Sequence, residues 1–188
     1  MSEAVGTDPR DVLVADCERE REAWRALVDE VGVDRMTEPG PMGPWSFKDL
    51  ASHLLGWRDR TISRLEAAAD GREAPAPDWP SELEGDDSIN DWIQARSDGR
   101  SVRAVLNDVD RSYVRLAEAI AALPEGLVTR RDALPWMEGE SLAETDLFGH
   151  LHDEHMPSIR AWLVTRPDRS VSRVEPSGAS KSRPVERG

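Results

Sequence analysis

Val102, Val105, Leu106, Val109, Tyr113, Leu116, Ile120 and Leu123 recur every three or four residues, the spacing that lays one apolar stripe along an α-helix. A segment striped in this way can bury its apolar side only against other elements. Three more segments carry the same period. Over 8–31, Leu13, Cys17, Trp24, Leu27, Val28 and Val31 line up behind Asp8, a capping residue, and Pro9, which suits a first turn. Over 46–69, Ser46 and Asp49 make a variant capping box ahead of Phe47, Leu50, Leu54, Trp57 and Leu65. Over 141–165, Ser141 and Glu144 form the full capping-box pattern ahead of Phe148, Leu151, Ile159 and Trp162. A short helix at 88–97, burying Ile89, Trp92 and Ile93, is expected before the stripe at 101–123. Neither strand alternation nor an internal repeat is visible. The expected fold is all-α: an up-down four-helix bundle over 8–166, with one short extra helix and long crossover loops.

Those loops are dense in Pro and Gly at 32–45, 71–87 and 124–140. The second has Trp79 at its centre, and reads either as a lid or as a surface crossover anchored by that ring. Residues 167–188 have almost no apolar content and are expected to form a disordered tail.

The formal charge of −13 argues against nucleic acid or an anionic membrane surface as partner. Six basic groups against three acidic ones in 166–188 concentrate the acidic excess in the bundle. A single cysteine, Cys17, excludes an internal disulfide and fits a reducing compartment. No apolar run reaches the roughly 20 residues that span a bilayer, and the acidic start lacks a signal peptide's basic and apolar regions. A cytoplasmic protein is the expectation.

Chemistry concentrates in the histidines. Three of the four, His150, His152 and His155, fall in the last stripe, and His53 borders the stripe of 46–69. At about 100° per residue, Phe148, Leu151, His152 and His155 share the inward face, and His150 projects to its flank. Two inward histidines on one helix, with His53 from a facing helix, form a three-imidazole set of the kind catalytic zinc uses. The other reading is that these rings satisfy buried hydrogen bonds, to Glu20, Tyr113 or one another. Glu20, on the stripe between Cys17 and Trp24, is either an edge carboxylate reaching water or an inward acid lining the site. Pro157 removes the N–H that would bond the Asp153 carbonyl, which predicts a kink just after His155. Seven tryptophans in a chain otherwise poor in aromatics favour an apolar pocket, with Trp57 and Trp79 beside it.

The run Gly43-Pro-Trp-Ser-Phe-Lys-Asp-Leu-Ala-Ser-His-Leu-Leu-Gly-Trp57, with His152-Asp-Glu-His-Met-Pro-Ser-Ile159 late in the chain, resembles the DinB/YfiT-like superfamily of four-helix bundles. The Trp-Ser-x-Lys-Asp entry, the Pro-rich loop with Trp79, and Asn90-Asp-Trp-Ile resemble its ClbS/DfsB branch most. The resemblance covers about residues 8–165. It implies an up-down bundle, often a homodimer, in which many members hold zinc or nickel through one histidine on helix two and a His-x-x-x-His on the last helix. His53 matches the first ligand and His155 the last. The middle ligand falls at Leu151, a departure, and His152 is the expected substitute after local rewinding, which makes the metal set His53, His152 and His155. Metal-using relatives transfer thiols, such as mycothiol or bacillithiol, to electrophiles or isomerise maleylpyruvate. The ClbS branch includes a self-resistance protein that opens the reactive cyclopropane of a genotoxin, and it is not known for a metal.

Three functions follow. The first is a metal-dependent hydrolase or thiol transferase acting on a reactive small-molecule electrophile. Its metal-free form uses His155 or Glu20 as general base, with Trp57, Trp79 and Tyr113 holding the ligand or cofactor. The second is a binding or sequestering self-resistance protein of the ClbS type, without turnover. The third is a bundle whose histidines are only packed.

Overall fold

The computed structural model describes residues 7–165, so the expected tail at 167–188 lies outside the described residues. Helix α1 spans Pro9–Val31, with the Asp8 carboxylate accepting from the Arg10 N–H at 2.9 Å. Helix α2 spans Phe47–Ala69 and realises both halves of its capping box. The Asp49 N–H donates to Ser46 Oγ at 3.2 Å, and the Ser46 N–H donates to Asp49 Oδ2 at 2.9 Å. Helix α3 is Asp86–Arg96 and α4 is Val102–Ala121, capped by Ser101.

Helix α4 packs against both α1 and α2 and is the centre of the bundle. Val105, Val109, Tyr113, Leu116 and Ile120 of its stripe are buried, with Leu106 only partly so, against Leu13, Cys17, Trp24 and Leu27 of α1 and Leu50, Leu54, Ile62 and Leu65 of α2. Ion pairs edge the seam. Arg21 and Arg25 share Asp110, with Nε–Oδ1 distances of 2.9 and 2.6 Å, and Arg115 reaches Asp59 at 2.8 Å. Helix α3 lies on α2; Ile89 and Ile93 are buried there, whereas Trp92, expected to be buried, is half-buried beneath the Arg96 guanidinium.

Two elements depart from the sequence reading. The 32–45 loop holds a small antiparallel pair, β1 Pro39–Gly40 with β2 Gly43–Ser46, where no strand was expected. Gly40 sits at φ 141° with the Trp162 ring 2.3 Å from where a Cβ would stand, so only glycine lets this turn dock.

The single long helix expected over 141–165 is broken. A short helix α5, Glu125–Thr129, lies within the third loop; the chain then makes a 3₁₀ turn at Leu142–Glu144, a π-helical turn at His150–His155, and helix α6 at Met156–Val164. The Ser141–Glu144 pair spends its polar groups on each other, with Ser141 Oγ donating to Glu144 Oε2 at 2.7 Å, while Arg131 holds the same carboxylate at 2.8 Å. The Ser141 side chain caps no backbone N–H, and only the 3₁₀ turn, not an α-helix, starts there. Asp146 restarts the chain instead, accepting from the Phe148 N–H at 2.9 Å. None of the helices among the described residues is long and apolar enough to cross a membrane.

Candidate metal centre

The π-helical turn builds the site. In it the Met156 N–H donates to the Leu151 carbonyl, five residues back, so positions five apart come into line. Pro157 follows directly and has no N–H to offer the Asp153 carbonyl, which removes one bond of the competing α register. His150 and His155 therefore project together toward α2, where His53 meets them. The three Nε2 atoms lie 2.8 Å (His53–His150), 3.1 Å (His150–His155) and 3.3 Å (His53–His155) apart. His53 and His155 are buried at 2% and 4% exposure; His150 is exposed and forms the outer edge.

This geometry suits a cation. Ligands about 2.0–2.1 Å from one zinc ion are separated by distances of this size. Each neutral imidazole carries a single N–H, so three converging Nε2 atoms cannot satisfy one another fully. The charge state fits as well. Burial, then the nearby His150 and His155 rings, push His53 down to about 3 from an ordinary 6.5. Burial, then His150, push His155 down to about 4. Both are neutral at pH 7, the form that ligates. The outer support is uneven. His150 Nδ1 faces Glu154 Oε2 at 3.2 Å, the carboxylate–histidine arrangement that orients a metal ligand. The buried Nδ1 atoms of His53 and His155 have no hydrogen-bond partner among the described residues. Asn90 lies close enough to oppose the fall of the His53 pKa, but its Oδ1 is taken by the Trp57 indole N–H at 2.8 Å.

His150, and not the expected His152, joins His53 and His155. The expectation used the α-helical angle, and the π turn changes it. His152 is rotated away to Glu20, with Nε2–Oε2 at 2.8 Å, and both are only partly buried. Glu20, expected as a candidate base, thus faces His152 rather than the triad. Leu151 is buried in the core at 4% exposure. Tyr113 is also core, at 1% exposure, with the Arg58 guanidinium 3.8 Å above its ring and Phe148 stacked 6.0 Å away. Trp57 and Trp79 pack together at 5.2 Å. Trp45, quoted from the sequence only as part of the Trp-Ser-x-Lys-Asp entry and not as a site residue, places its ring 5.6 Å from His53.

A cavity of about 320 Å³ opens beside the triad, lined by His150, Trp57, Arg58, Leu54, Phe148 and Leu151 among others. A second, more polar cleft of about 370 Å³ lies on the opposite face of α2, under Trp79 and against α3, and none of the three histidines lines it. The first cavity is the one the histidine chemistry can reach.

Neither the curated proteins nor the solved structures contain a significant match to the chain. The profile described as "Mycothiol maleylpyruvate isomerase N-terminal domain" matches residues 17–153, from Cys17 of α1 through His53 and into the π turn, ending two residues before His155. The chain belongs to the mycothiol maleylpyruvate isomerase N-terminal domain family, within the DinB/YfiT-like superfamily.

Proposed function

We propose that the protein is a metal-dependent enzyme that adds a thiol of the mycothiol type, or water, to a reactive small-molecule electrophile. The observation that carries this reading is the convergence of His53, His150 and His155 on one point, their Nε2 atoms within 3.3 Å of one another. The family description, which names mycothiol, supports a thiol as co-substrate.

Zinc or nickel held there would make a bound thiol or water acidic enough to act as nucleophile near neutral pH. The chain's own groups do the rest. His53 and His155 present neutral, buried imidazoles from two different elements, which fixes their geometry. His150 stands at the cavity wall and is the histidine of the three that borders the ligand space. Trp57, Leu54, Phe148 and Leu151 give that space apolar walls, which exclude water from around a bound electrophile.

Elemental analysis of untagged protein tests the reading: about one equivalent of zinc or nickel is expected, and its loss in His53→Ala. The unpartnered Nδ1 atoms of His53 and His155 favour a second reading, a metal-free binding protein of the ClbS type, because ligating imidazoles usually donate their other N–H. Protein free of metal after growth and refolding with excess zinc would select that second reading.

A further inference from the structure

The chain carries a strong acidic excess, and its arginines are mostly consumed by it. Arg10, Arg21, Arg25, Arg100, Arg115 and Arg131 each reach a carboxylate. Arg58 does not, although it sits half-buried on the wall of the cavity that His150 also lines. No carboxylate of the described residues lies within ion-pair distance of it. Its guanidinium is fixed from beneath by α4: Cζ is 3.8 Å from the Tyr113 ring centroid, and Nη1 donates to Ser112 Oγ at 2.9 Å. Ser112, buried at 1% exposure, is held in turn by donating to the Val109 carbonyl at 2.7 Å. A guanidinium has five N–H donors in a planar fork, and this one makes one close hydrogen bond, to Ser112, with the Tyr113 hydroxyl also beside it. The walls beside it are largely apolar, and no carboxylate among the described residues engages the rest of the fork. Asp86 stands exposed at the same cavity's rim and disfavours a second negative charge on any occupant.

We propose that Arg58 is the anion anchor and specificity-determining residue of this cavity, selecting an apolar small molecule that ends in one carboxylate. Held by Arg58 at that end, the molecule lies along Leu54, Phe148 and Leu151 and presents its other end toward His150. The orientation of the reacting end rests on the function proposed above; the anion selection does not.

The test is calorimetric titration with hexanoate and with hexanamide, a neutral match in size, on zinc-loaded and on EDTA-treated full-length protein. Wild type is expected to prefer hexanoate at least tenfold in both metal states. Arg58→Gln should abolish the preference with zinc stoichiometry unchanged. Arg58→Lys keeps the charge but loses the fork, and should keep only part of the preference. It also serves if Arg58→Gln fails to fold. Equal binding of the two ligands, binding of neither, or a preference that survives in Arg58→Lys at full strength would overturn the inference. A preference seen only with zinc present and unaffected by Arg58→Gln would also overturn it, by placing the carboxylate on the metal, and would leave the metal reading intact. An Arg58-dependent preference in protein that takes up no zinc would refute the metal reading and sustain this one.

Discussion

His150 and His155 stand five residues apart, and their Nε2 atoms are 3.1 Å apart. In an α-helix residues five apart point to different sides; only the wider turn at His150–His155 brings these two together. The family resemblance leads to a histidine at Leu151, four residues before His155, and this chain has none there. Widening the turn by one residue restores a paired site from His150 and leaves Leu151 free to pack in the core at 4% exposure.

Pro157 helps to hold that register, since a residue with an N–H at 157 could bond the Asp153 carbonyl and favour an ordinary α turn. Pro157→Ala is expected to weaken zinc binding at least tenfold while the melting temperature stays equal or rises. Unchanged zinc affinity in a folded variant would show that the π turn is held by packing alone.

The hairpin at Pro39–Ser46 ties α6 to the body of the bundle through Gly40 and Trp162. Gly40→Ala combines a positive φ of 141° with a methyl carbon placed 2.3 Å from the indole. A loss on the order of 2–3 kcal/mol is expected in urea unfolding. Gly32→Ala, at φ 75° and ψ 144° with nothing within 4 Å, keeps the backbone strain without the clash and should cost about 1–2 kcal/mol, less than Gly40→Ala. Equal losses at the two sites would mean that the Trp162 contact does not form.

Acid should destabilise the metal-free protein through the histidines before the carboxylates take part. His53 and His155 are depressed to about 3 and about 4 from 6.5, so the folded state stays neutral while the unfolded chain takes up protons below pH 6.5. Their contribution is therefore complete above pH 6.5 and is lost as pH falls toward 4 and then 3, at a limiting slope of about 1.4 kcal/mol per pH unit per group. Asp110, which Arg21 and Arg25 hold well below the ordinary carboxylate range, keeps its charge throughout the upper part of this window. Denaturation of EDTA-treated protein between pH 7 and 5 should show the fall, and His53→Gln/His155→Gln should flatten it. A wild-type midpoint constant across that range would mean that both rings are solvated.

The helical framework was legible in the sequence because its signals are local. The Ser46–Asp49 box and the stripes of α1, α2 and α4 act within a few residues and met no competition. The break in the last segment was hidden because Ser141–Glu144 has the right spacing for a cap, but Arg131, from another loop, claims the carboxylate. The triad was half legible. His53 and His155 could be placed by phase, whereas His150 needed a turn that a 3.6-residue period cannot represent. The available hint was the pairing of a five-residue histidine spacing with a proline two positions after the second histidine.

Zinc titration of wild type, His150→Ala and His152→Ala by calorimetry tests the central claim most directly. One zinc per chain is expected in wild type, with affinity lost at least a hundredfold in His150→Ala and nearly unchanged in His152→Ala, whose ring faces Glu20 instead. Wild-type affinity no better than millimolar, or a loss in His152→Ala as complete as in His150→Ala, would contradict the triad of His53, His150 and His155.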